Sequence, residues 1–83
     1  MRLEDLPEVK LPKRFRNETY RKPVARVEVR IYDGSKITGY LMGKSKSGDD
    51  YSLIIGSRVN KKGLVTGILN PVFMDCVEKI LKV

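Results

Sequence analysis

Residues 24–32 (VARVEVRIY) alternate strictly, with Ala25, Val27, Val29 and Ile31 on one parity and Arg26, Glu28, Arg30 and Tyr32 on the other. A period of two over nine residues is the signature of a half-buried β-strand, because successive side chains point to opposite faces. Asp33-Gly34 follows at once, a pair suited to tight turns since glycine tolerates positive φ. Residues 35–43 (SKITGYLMG) then place Ile37, Gly39, Leu41 and Gly43 on one parity. Two such runs around Asp-Gly predict a β-hairpin. Gly39 inside the second run predicts strong bending or the close approach of another strand.

The rest of the chain continues in short apolar runs. Residues 44–50 (KSKSGDD) are polar and read as a loop, 51–55 (YSLII) as a third strand, and 56–63 (GSRVNKKG) as a second, basic loop. Residues 64–69 (LVTGIL) read as a fourth strand that Asn70-Pro71 breaks and Val72, Phe73 and Met74 can resume. Residues 75–83 fit a helix through Val77, Ile80 and Leu81, or a strand; a tight turn at 75–77 and a closing strand at 78–83 is the reading adopted. Five short strands in about 60 residues are too few for a sandwich but enough to curl into a small, strongly bent barrel. The expected fold is therefore all-β: a barrel over residues 23–83 behind an arm over residues 1–22.

Most of the excess positive charge lies in one stretch, residues 10–30, which spans the arm and the first strand. The chain has 17 Lys and Arg against 10 Asp and Glu, a net charge of +7. Residues 10–30 alone hold eight of those bases against two acids. Pro7, Pro12 and Pro23 disfavour a long helix, so the arm is expected to be extended, with at most one helical turn around 13–20. Lys10, Lys13, Arg14, Arg16, Arg21 and Lys22 surround Phe15 and Tyr20, a mixture suited to nucleic acid: cations neutralise phosphates while rings stack on bases. The plainer alternative is a solvated tail whose Leu6, Val9, Leu11 and Phe15 dock on the barrel. Because the alternating strand begins at Val24, deletion of residues 1–22 is expected to leave the barrel folded.

Catalytic chemistry finds little support. The chain has no histidine, which removes His-based triads, His metal ligands and imidazole acid–base catalysis. Its one cysteine, Cys76, forms no internal disulfide and is expected to be a buried structural thiol. Asp49-Asp50 read as solvated turn residues, and Gly43-Lys44-Ser45 lacks the upstream glycine and following helix of a phosphate loop. No enzyme, metal or cofactor is expected. No apolar run reaches the ~18 residues of a membrane span. Acidic residues near the N-terminus speak against an export signal, so a cytoplasmic protein is expected.

The stretch RKPVARVEVRIYDGSKITGYLMG, residues 21–43, resembles the first motif of Sm-like (LSm) proteins, with Val27, Val29, Ile31, Asp33, Gly34, Ile37, Gly39 and Leu41 in matching order and spacing. The resemblance implies a five-stranded barrel of the Sm-like or SH3-like kind. It places Asp50, Tyr51 and Ser52 at the family's base-binding loop, with Tyr51 as the ring that stacks on a base and Ser52 where the family has Asn. In the second motif, Val65-Thr66-Gly67 matches with Thr66 in place of Arg. Sm-like subunits join by pairing the fourth strand of one with the fifth of the next, a pairing that Pro71 weighs against because it cannot donate to a ladder.

Together these readings predict a small basic barrel that binds RNA or belongs to a ribonucleoprotein particle, including the ribosome. Candidate contacts are the arm residues above with Lys44, Lys46, Tyr51, Arg58, Lys61 and Lys62. Two alternatives stand beside it: a barrel whose partner is a protein or a second copy of itself, and a DNA-coating barrel of the small chromatin type.

Overall fold

Why the chain curls is visible in its strand order. The computed structural model describes residues 5–9 and 22–83. They form five strands: β1 (Ala25–Ile31), β2 (Lys36–Ser47), β3 (Asp50–Val59), β4 (Val65–Phe73) and β5 (Val77–Lys82). All pair antiparallel in one sheet of order β4-β3-β2-β1-β5. β4 and β5 are thus the two edges, about 19 Å apart in a flat sheet at ~4.8 Å per strand gap. Only the 3-10 turn Met74–Cys76 joins them, and three residues at ~2 Å rise each cannot span that width. The sheet must roll so that its edges approach. The expected closure into a barrel is not completed: β4 and β5 remain edges without ladder hydrogen bonds to each other.

The alternation in β1 does what it predicts. Val27 and Val29 are fully buried and share a cluster with Leu41, Leu53, Ile55 and Val72 on the inside of the roll. Arg26 and Arg30 point outward and are exposed. A second cluster, Met42, Ile54, Val65 and Leu69, lies apart from the first. Neighbours therefore serve different clusters: Leu41 and Met42 on β2, and Leu53, Ile54 and Ile55 on β3. A slip in pairing between Leu41 and Gly43 turns β2 between them.

Gly39 explains the tight bend. A Cβ there would sit 2.5 Å from Ile55 Cγ2 and 2.7 Å from the Gly56 carbonyl oxygen, so only glycine lets β3 cross so closely. The β1–β2 turn is fixed by Asp33, whose carboxylate accepts hydrogen bonds from the Ser35 amide (2.7 Å) and hydroxyl (2.6 Å). These bonds hold the Asp33 carboxyl below its ordinary value of 3.8.

Several boundaries differ from the sequence reading. Residues 44–50 are not a loop: β2 and β3 pair as far as Ser47 and Asp50, leaving Gly48-Asp49 as a two-residue turn with φ +62° at Gly48. Residues 56–59 extend β3 rather than opening a loop. β4 runs unbroken through Asn70 and Pro71, which pair with Ile55 and Ile54. An edge strand tolerates proline, since a missing N–H on its solvent side leaves no partner unsatisfied. Both residues are exposed, and the burial alternation of β4 changes phase there. β5 begins at Val77, one residue before the expected strand. Cys76 is exposed rather than buried, because the 3-10 turn that carries it turns Met74 toward the inner cluster and leaves Asp75 and Cys76 outside.

Part of the N-terminal segment belongs to the domain. Leu6 is 5% exposed and packs in the inner cluster. Residues 7–9 run parallel to β2 where β1 has ended: the Val9 amide donates to the Lys44 carbonyl at 2.8 Å, and the Lys44 amide donates to the Pro7 carbonyl at 2.9 Å. Gly43, at φ +150°, makes room for this pairing. A Cβ there would collide with the Pro7 carbonyl oxygen and lie 2.8 Å from Val9 Cγ2.

Candidate nucleic-acid interface

Extension of the β2–β3 ladder assembles the site. With Lys46 directly opposite Tyr51 and Lys44 opposite Leu53, both lysines stand beside the Tyr51 ring. Their ammonium nitrogens lie 5.3 Å (Lys44) and 5.8 Å (Lys46) from its centroid. Such contacts contribute about 0.5–1 kcal/mol each at exposed positions. They hold two cations over a half-buried ring, so that a base stacking on Tyr51 has to displace an ammonium group, which is then free to pair with a phosphate. Asp49 and Asp50 at the turn balance the two lysines, so residues 44–53 at the tip of the hairpin carry no net charge.

The second predicted loop lies elsewhere. The β2–β3 turn precedes β3 and the β3–β4 turn follows it, so the two are separated by the ten residues of β3, about 30 Å of strand at ~3.3 Å per residue. Lys44, Lys46 and Tyr51 form one group; Arg58, Lys61 and Lys62 form another, and the strand holds them apart. This second group is wholly basic: residues 57–64 carry three cations and no acid. Asn60 orders the turn, its side-chain oxygen accepting from the amides of Lys62 (2.9 Å) and Leu64 (3.0 Å). A shallow hollow of about 530 Å³ lies against Asn60, Lys61, Lys62 and Leu64. Gly67, at φ +86°, leaves space for Arg58: a Cβ there would stand 3.1 Å from Arg58 Nε.

Of the arm candidates, Lys22 is exposed just before β1. Lys10, Lys13, Arg14, Phe15, Arg16, Tyr20 and Arg21 lie outside the described residues. The sheet register also gathers cations that were not among the candidate contacts: Arg26, Arg30 and Lys36 all point outward from the β1–β2 hairpin. The parity of β1 contained that signal, but only the pairing with β2 and β5 shows which charges meet. Comparison of the chain with protein-family models, with curated proteins and with solved structures found no match.

Proposed function

We propose that this chain is a small Sm-like β-roll that binds single-stranded RNA as a cytoplasmic component of a ribonucleoprotein particle. The observation that carries the reading is the Tyr51 ring with Lys44 and Lys46 beside it. Once an incoming base displaces the ammonium groups from its face, the ring takes the base by stacking and the lysines take the phosphates by charge, without needing sequence-specific hydrogen bonds. The net charge of +7 and the all-basic β3–β4 turn support the same class of partner. The rolled five-stranded sheet is compatible with the Sm-like resemblance of residues 21–43.

Fluorescence anisotropy with a labelled single-stranded oligoribonucleotide tests this reading. Wild-type protein binds, and Tyr51→Ala weakens binding by the ~1–3 kcal/mol of one stacked base. The salt dependence stays nearly unchanged, because stacking is not a charge effect. A deoxyribonucleotide probe that binds more tightly would favour the DNA alternative.

A second reading rests on a different observation. Edge strand β4 exposes Ile68 and Phe73, each 62% accessible, beside a backbone edge that no other strand pairs with among the described residues. Exposed apolar side chains on a free edge suit a protein partner or a second copy of this chain. Light scattering separates them: a mass above 9.5 kDa in the absence of RNA favours self-association.

A further inference from the structure

The register draws three cations into one line across three strands. Arg30 on β1 stands opposite Lys36 on β2 and opposite Lys79 on β5. Like charges directly opposite each other destabilise a sheet, and a solvated face ordinarily avoids the arrangement. Among the described residues, one carboxylate serves two of the three. Glu28 accepts from Arg30 Nε at 3.1 Å and lies 3.7 Å from Lys36 Nζ. The Arg30 and Lys36 side chains remain 52% and 68% exposed. Four residues back along β1, Arg26 faces Tyr40, its guanidinium 6.0 Å from the ring centroid. The outer face of β1, β2 and β5 thus carries cations at two levels, with an aromatic ring at one of them.

We propose that this outer face is a second contact surface for the sugar–phosphate backbone of a single-stranded nucleic acid, with Lys36, Arg30 and Lys79 neutralising phosphates in a row. It rests on the nucleic-acid reading above but uses none of Lys44, Lys46 and Tyr51. Charge complementarity selects the partner: a chain of phosphates supplies repeated anions to a row of cations that the protein itself only partly compensates. A hollow of about 440 Å³ beside Arg30 and Lys36 carries Glu78 on its rim. That carboxylate repels an anion entering the hollow, so the backbone crosses the row of cations instead.

The test is a salt series of anisotropy titrations with a labelled homopolymeric oligoribonucleotide, comparing wild type with the double variant Arg30→Gln/Lys79→Gln. Each lost single-strand phosphate contact removes about 0.7 from the slope of log K against log salt, so the variant's slope is shallower by about 1.4. Its unfolding temperature at low salt is unchanged or higher, since two opposed cations are gone. An unchanged slope and affinity in a variant of a protein that does bind RNA overturns this surface while leaving the Tyr51 site standing. Failure of the wild type to bind overturns both. Polyglutamate that binds wild type as tightly as RNA at equal charge, and loses as much in the variant, overturns it in favour of an acidic protein.

Discussion

Replacing Leu6 with alanine probes how far the folded unit extends beyond its five strands. Leu6 lies outside every strand, yet it is buried in the inner cluster with Val27, Val29 and Leu41. Truncating a buried leucine costs about 2–5 kcal/mol, depending on how well the cavity can collapse. Here a structural ceiling applies. Residues 7–9 are held to β2 by two backbone hydrogen bonds, so a large enough cavity cost is avoided by undocking the segment instead. Two net hydrogen bonds and one buried leucine amount to a few kcal/mol, which places Leu6→Ala in the lower half of the range, about 2–3 kcal/mol. For a domain of this size that corresponds to a fall in unfolding temperature of about 8–24 °C. Urea and thermal unfolding followed by circular dichroism measure it. A loss below about 0.5 kcal/mol, ordinary for a surface site, would mean that the segment does not stabilise the domain. The same contacts revise what truncation should do: deletion of residues 1–22 removes Leu6 and exposes an edge of β2, so it destabilises the domain instead of leaving it intact.

Gly39→Ala places a Cβ against Ile55 and the Gly56 carbonyl, and backbone cannot yield as a flexible side-chain tip can; a loss of about 1–3 kcal/mol in urea unfolding is expected, and a neutral result would disprove the close crossing of β2 and β3. Val29→Asp buries an unpaired carboxylate in the inner cluster, and a variant with no cooperative unfolding transition is expected; a retained transition would place Val29 outside the core. Asp33 has a lowered folded pKa, so its contribution is present above the ordinary carboxylate value and fades as pH falls through the lower folded value. Asp33→Asn should therefore flatten the acid limb of the stability profile, whereas an unchanged limb would show that the Ser35 hydrogen bonds do not persist in solution.

How legible the molecule was depends on how local each feature is. The β1–β2 hairpin could be read directly, because alternation and Asp33-Gly34 are contained in twenty consecutive residues. Gly39 also announced its role, since a glycine inside a strand has few other uses. The β2–β3 hairpin was shortened because Lys44, Ser45, Lys46 and Ser47 are all polar; a strand that projects beyond the core needs no apolar face, and its pairing leaves no hydrophobic period to detect. Asn70-Pro71 misled for a related reason, as proline forbids a central strand but not an edge, and edge position is a property of topology. The docking of Pro7–Val9 on β2 joins segments more than thirty residues apart: the apolar Leu6 and Val9 pointed to docking on the barrel, and both do pack there, but apart from Gly43 nothing local said where. At the candidate site, Tyr51 was found through the family resemblance, but its two lysine neighbours follow from register. Register likewise sends Arg58, Lys61 and Lys62 to the far end of β3 and brings Arg30, Lys36 and Lys79 into line.

Ultraviolet crosslinking of the protein to a bound single-stranded oligoribonucleotide, followed by peptide mapping, tests the functional account most directly. The account predicts a nucleotide adduct on the peptide that carries Tyr51, lost in Tyr51→Ala while the protein stays folded. Adducts confined to other peptides, or none at a concentration where anisotropy shows binding, would contradict it.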